Sequence, residues 1–312
     1  MRSSVQALLL VIGICCPISP LAQAPIHVDV HLVDVAFAAR SANGTLVNNL
    51  SQEDVEVLED AVPQKISFFA RSADVPLTLG LIVDFSGSQE HFQKKHRHDL
   101  EVFLKEMLGP HDRVFLVAFG NRLRLVSDLS QSADELGEKW ERFEKGDRNV
   151  PDLGPVEDRE LGTAFYDAIY YSVTTKLAGI QNGRKALLVF SDGEDNSSSH
   201  HLLDAIEAAQ NENVIVYSIR YTEKRHGRLT ARNKYGMRVM ERIAHDTGGT
   251  DFDAEKTDTR AYFHQISEEL RTSYELAYYP TNPARDDSFR KIAIRPRQPG
   301  LTVRCKTGYF SR

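Results

Sequence analysis

The stretch that most constrains the fold is Leu79-Gly80-Leu81-Ile82-Val83-Asp84-Phe85-Ser86-Gly87-Ser88. It opens as an apolar run and closes on three oxygen-bearing side chains at alternate positions. A short apolar run bounded by glycine and polar residues reads as a strand buried on both faces, which belongs to a parallel sheet covered by helices. Asp84, Ser86 and Ser88 then fall where the strand becomes a loop, at its carboxyl end. Open α/β sheets bind ligands at that edge, beside the switch point of strand order. A carboxylate with two hydroxyls suits a hard, oxygen-seeking cation such as Mg²⁺.

Two later stretches add to this set. Leu161-Gly162-Thr163-Ala164-Phe165-Tyr166-Asp167-Ala168 places a hydroxyl, Thr163, just ahead of a helix, and Ala186-Leu187-Leu188-Val189-Phe190-Ser191-Asp192-Gly193 is a second buried strand ending in the carboxylate of Asp192. The pattern is D-x-S-x-S, then T, then D-G. It resembles the metal-ion-dependent adhesion site of von Willebrand factor type A domains. The resemblance implies that Asp84, Ser86, Ser88, Thr163 and Asp192 hold a divalent cation, and that a partner protein's Asp or Glu carboxylate fills the remaining position. Mg²⁺ or Mn²⁺ suits this hydroxyl-rich set; Ca²⁺, which prefers more carboxylates at longer distance, suits it less.

The rest of the chain alternates in the same α/β manner. Helices are predicted over Gln89–Met107, Ser132–Glu144, Thr163–Leu177, His201–Asn211, Met237–Thr247 and Asp258–Leu270. Strands are predicted over Asp112–Phe119, Val214–Ile219 and Thr250–Phe252, with Leu123–Val126 as the antiparallel edge strand that type A domains carry. Strands alternating with helices imply right-handed crossovers and a doubly wound, mostly parallel sheet. The polar stretch from Lys145 to Glu160 reads as a loop leading to Thr163, placed to help choose a ligand.

Both ends of the chain have the two-residue period of strands instead. At the front, Val28, Val30, Leu32 and Val35 alternate with polar residues, and Val55–Asp60 and Ile66–Phe69 follow. At the back, strands are predicted at Tyr274–Pro280, Phe289–Arg295 and Leu301–Cys305. Neither end can cover its own apolar face, so the two are expected to share one sandwich or sheet. Asn43-Gly44, Leu50, Glu53-Asp54 and Phe68-Phe69, with Tyr278-Tyr279-Pro280, Phe289-Arg290-Lys291 and Gly308-Tyr309-Phe310, resemble a bacterial exported subgroup of type A domain proteins. The expected organisation is a signal peptide over 1–24, an N-terminal β module over 25–72, a type A domain over 76–271, and a C-terminal β segment over 272–312 that packs with the N-terminal module.

The leader carries Arg2, an apolar run Ala7–Cys16 and Ala22-Gln23-Ala24 as an A-x-A cleavage site, with a cut after Ala22 as the alternative because Pro25 follows Ala24. The run is too short for a membrane span, so the mature chain is expected in the periplasm or secreted. Cys305 would then stand alone, a small apolar residue in a strand. The net charge of −6, without a strong basic block, argues against a nucleic-acid partner. No G-x-S-x-G elbow or phosphate loop is present, which argues against an enzyme. The alternatives are a metal-assisted hydrolase, with Asp167 or Glu194 as base, and a structural envelope protein whose site is vestigial. Glu194 and Asp195 otherwise read as solvated loop acids. His91, His96 and His98 resemble a zinc cluster by composition, but His96 and His98 lie on different faces of a helix.

Overall fold

The computed structural model describes residues 32–71, 75–156, 162–222 and 228–312. The leader at 1–24 with its cleavage sites lies outside the described residues, as do Val28 and Val30, part of the linker before Pro76, and residues 157–160 of the loop before Thr163.

The chain begins with four strands, β1 (Val33–Ser41), β2 (Val55–Glu59), β3 (Val62–Gln64) and β4 (Ile66–Arg71). β1 buries every second residue, as its alternation requires. β5 (Leu77–Asp84) is buried at every position. A tight turn of helix over Gly87–Phe92 leads into α1 (Gln93–Glu106), followed by β6 (Arg113–Phe119), β7 (Leu123–Ser130), α2 (Ala133–Glu144) and α3 (Phe165–Tyr171). Next come β8 (Arg184–Ser191), α4 (Leu202–Asn211), β9 (Val214–Arg220), α5 (Ala231–Thr247), β10 (Asp251–Asp253) and α6 (Thr259–Thr272). The chain closes with β11 (Tyr274–Tyr278), β12 (Phe289–Pro296), β13 (Leu301–Cys305) and β14 (Gly308–Phe310).

Six strands form one sheet in the order β10-β9-β8-β5-β6-β7. All neighbours run parallel except β7, which is antiparallel to β6 at the edge. Side chains of α1, α2 and α6 pack on one face, around Leu100, Phe103, Trp140 and Phe263. Those of α3, α4 and α5 pack on the other, around Phe165, Ile169, Ile206 and Met240. The fold is thus the α/β, doubly wound and mostly parallel class implied by the sequence. From β5 the chain winds outward through β6 and β7, then returns to the other side of β5 as β8. The crevice between the carboxyl ends of β5 and β8 is therefore the switch point, where Asp84 and Asp192 emerge.

Some helices depart from expectation: the one predicted from Met237 begins at Ala231, where Thr230 caps it by accepting from the Asn233 N–H. The segment predicted as helix up to Leu177 is α-helical only to Tyr171 and continues as a wider π turn over Ser172–Leu177. The hydroxyls of Thr174 and Thr175 donate to the carbonyls of Tyr170 and Tyr171 at 2.9 and 2.6 Å, a back-bonding that bends helices.

Strands from the two chain ends form two further four-stranded sheets, β13-β1-β11-β4 and β14-β12-β2-β3. They share a core of Val35, Phe37, Val57, Tyr274, Leu276 and Ile292. Inside it the Glu59 carboxylate accepts hydrogen bonds from the hydroxyls of Tyr278 and Tyr309, at 2.8 and 2.9 Å. Glu269 of α6 joins the α/β layer to these sheets, accepting from Tyr217 of β9 at 3.2 Å, Arg40 of β1 at 2.5 Å, and Arg304 of β13. Cys305 is half-buried on β13.

Candidate metal centre

Asp84 is the last residue of β5 and is fully buried. Its two oxygens are already oriented: Oδ1 accepts from the Ser86 N–H at 2.9 Å and Oδ2 from the Ser191 hydroxyl at 2.6 Å. The Ser86 and Ser88 hydroxyls lie 3.2 Å apart, and Ser88 donates to Asp192 Oδ2 at 3.0 Å. Asp192 itself is held by the buried Gln89 amide, which donates to Oδ2 at 2.9 Å and to the Tyr221 carbonyl at 3.2 Å, and by the Glu194 N–H at 3.0 Å. The turn over Gly87–Phe92, read from sequence as α-helix from Gln89, thus turns Gln89 inward against Asp192. Four of the five residues singled out by the sequence are in one hydrogen-bonded chain.

Thr163 reaches the same rim through its backbone. The Ala164 N–H donates to the Gly120 carbonyl at 2.9 Å, and Gly120 packs against Phe85 and Ser86. On the other side, Asn196 grips Thr163 twice: its side-chain oxygen accepts from the Thr163 N–H at 2.7 Å, and its own N–H donates to the Thr163 carbonyl at 3.1 Å. Gly162, at φ +132°, is required here, because a Cβ would lie 2.7 Å from the Asn196 oxygen.

The loop beyond Asp192 is braced in turn. Asp195 Oδ1 accepts from the Tyr166 N–H at 3.3 Å and from the Ser198 hydroxyl at 2.5 Å. Asp167, fully buried in the first turn of α3, accepts from the Ser199 and His200 N–H groups at 3.0 Å each and faces His200 Nδ1 at 2.7 Å. The His200 ring stacks on Tyr170 with centroids 3.7 Å apart. Glu194 is buried and ion-paired to Arg232 Nε at 2.6 Å. Glu194 and Asp195 are therefore not solvated acids: each is engaged in holding a neighbouring element. Sequence reading also missed Ser191, Gln89 and Asn196. The first two adjoin motif residues, and Asn196 follows Asp192 by four, so proximity in the chain was the available signal.

Burial, and then the charge of Asp192, push the Asp84 carboxyl up to about 7, against the opposing hydrogen bonds from Ser191 and Ser86. Two carboxylates with hydroxyls between them are short of positive charge, and the donor set is all oxygen, so these residues fit a hard divalent cation. Among the described residues, no group of three or more His, Cys, Asp or Glu side chains is arranged to hold a metal. His96 is wholly buried beside Tyr221, with ring centroids 4.3 Å apart and neither ring nitrogen hydrogen-bonded. Burial first, then the charges of Lys95 and His91, push it down to about 3.

The loop leading to Thr163 pairs with the edge strand β7 for part of its length. The Leu125 N–H donates to the Pro151 carbonyl at 2.9 Å and the Leu153 N–H to the Leu123 carbonyl at 3.0 Å, with Leu153 buried.

No family model matches the chain, and no curated protein matches it. Among solved structures it is similar to an aerotolerance-related membrane protein from Bacteroides fragilis NCTC 9343, at 15% identity and a TM-score of 0.46, over 62% of this chain and 98% of that one. It is also similar to the conserved hypothetical protein BatB from Bacteroides thetaiotaomicron, at 16% identity and a TM-score of 0.45, over 62% and 97%. A third is proximal thread matrix protein 1 from the mussel byssus, a structure with a zinc-occupied MIDAS motif, at 13% identity and a TM-score of 0.45, over 64% and 49%. At these values the likeness transfers no ligand or activity to this chain. No helix among the described residues is long and apolar enough to cross a membrane.

Proposed function

We propose that this chain is an exported, metal-dependent protein-binding module that captures a partner's Asp or Glu carboxylate. The observation that carries the reading is the spacing of the site's oxygens. Ser86 to Ser88 is 3.2 Å and Ser88 to Asp192 is 3.0 Å. The set they form is rich in hydroxyls and has only two carboxylates, which supports Mg²⁺ or Mn²⁺ over Ca²⁺.

In this reading Ser86, Ser88 and Thr163 offer neutral hydroxyls, and Asp84 and Asp192 offer charge while fixing the hydroxyl directions. A bound divalent cation would supply the open position and the positive charge that an incoming carboxylate needs. Ser191, Gln89 and Asn196 keep the ligands in place before any partner arrives. Export is supported by the Arg2–Ala24 leader pattern. A hydrolase would need a free base near the ion. Asp167 is occupied by the 199–200 backbone and Glu194 by Arg232, so the reading without turnover is the better supported.

The test is thermal melting of the purified chain in Mg²⁺ or Mn²⁺ against chelator. A cation that binds only the folded chain at about a hundred times its Kd adds about 2.7 kcal/mol. The gain should vanish when Ser86→Ala and Ser88→Ala are combined; a gain of unchanged size in that variant rejects these ligands.

A further inference from the structure

α5 presses directly on the metal edge. Gly236 lies so close to Asp192 that a Cβ there would sit 2.3 Å from the Asp192 carbonyl oxygen. One turn earlier, Arg232 pairs with Glu194 at 2.6 Å, and Tyr235 shares a hydrogen bond with Tyr166, the third residue after Thr163. These contacts reach either side of the candidate centre and place the exposed Arg232 and Tyr235 side chains beside it, with Lys234 and Arg238 continuing the exposed side of the helix.

That surface differs in charge from the rest of the chain. The whole chain carries a net charge of −6. Between residues 228 and 242, however, Arg228, Arg232, Lys234, Arg238 and Arg242 face one acid, Glu241. Arg242 pairs with Asp246 at 3.3 Å. Arg228, Lys234 and Arg238 are exposed and have no ion-pair partner among the described residues. Tyr235 stands among them, 53% exposed, and the Arg232 side chain is 61% exposed. Exposed Tyr and Arg beside unpaired cations have the composition of a protein-recognition patch for an acidic segment.

We propose that this surface, centred on Arg232, Tyr235 and Arg238, receives an acidic segment of the same protein partner whose carboxylate reaches the metal centre. The inference rests on the metal-capture reading and deepens it: the partner's coordinating acid sits within a run of further acids, and α5 selects for that run. A solitary exposed carboxylate lacks the added attraction and binds more weakly.

The experiment uses the full chain and two fluorescent Gly/Ser peptides, one with a single Asp and one with several Glu added beside it, titrated at low salt in Mg²⁺ and in chelator. The acidic peptide should bind about tenfold more tightly, the combined effect of a few exposed charge pairs. Lys234→Glu with Arg238→Glu should remove that advantage while leaving single-Asp binding and the Mg²⁺-dependent rise in Tm intact. Lys65→Glu, between β3 and β4, with Lys291→Glu on β12 should keep it. Equal affinity for the two peptides in the native chain overturns the proposal, as does an equal loss in the Lys65/Lys291 variant or preference for anionic lipid vesicles over the acidic peptide. If the acidic advantage depends on Lys234 and Arg238 yet neither peptide responds to Mg²⁺, the α5 surface stands and the metal-capture reading fails.

Discussion

Two buried acids, one in each layer of the molecule, differ in what surrounds them. Glu59 lies inside the sandwich core and is met by two phenol hydroxyls, from Tyr278 and Tyr309. Both donors are neutral and buried, and burial holds both phenols above their ordinary range. Asp84 lies at the open end of β5, equally buried, and is also hydrogen-bonded. Its difference is a second carboxylate, Asp192, whose charge adds to burial in raising it. Burial with hydrogen bonds makes a closed structural contact; burial beside a like charge makes a site short of positive charge.

The sharpest test of this contrast is removal of each acid. Glu59→Ala should lower stability to urea by about 3 kcal/mol, because two buried hydroxyls lose their shared acceptor, while the Mg²⁺-dependent rise in Tm is retained. Asp84→Asn should do the reverse. Without metal it should be as stable as the native chain or more so, by on the order of 2 kcal/mol, since the variant no longer buries a charge beside Asp192. Its Mg²⁺-dependent gain should disappear. Equal destabilisation by the two substitutions would erase the distinction.

A smaller effect should appear with pH. The Asp84 carboxyl is raised from 3.8 to about 7, so its protonated form favours the folded chain. That contribution is complete below about pH 4 and is lost as pH rises through about 7. Cation binding needs the carboxylate, so the gap between melting curves with and without Mg²⁺ should be narrow near pH 5 and widen through pH 7. His96, pushed down to about 3, lowers both curves alike as pH falls below its ordinary 6.5, and the gap cancels it. A gap that stays constant between about pH 5 and 8 would exclude Asp84 as the group that titrates.

Much of the α/β layer was legible because its signals are local. The eight-residue strands β5 and β8, each built on an apolar run, are buried throughout, and a run of that kind has few other places to go. The motif residues Asp84, Ser86 and Ser88 come from one short loop, so their convergence follows from strand geometry. The π turn after Tyr171 was less legible, because it depends on which way two threonine hydroxyls turn.

What the amino-acid sequence determined by itself is therefore the set of elements, the edge of the sheet that carries the chemistry, and the oxygen chemistry of that edge. Tertiary structure decided which distant groups complete it. Ser191 meets Asp84 across 107 residues of chain, Gln89 meets Asp192 across 103, and Thr163 meets Asn196 across 33. α5 came to that edge because Gly236 lets its backbone rest against that of Asp192. Periodicity records which way a side chain points from its own strand or helix; what stands opposite it is settled when the layers pack.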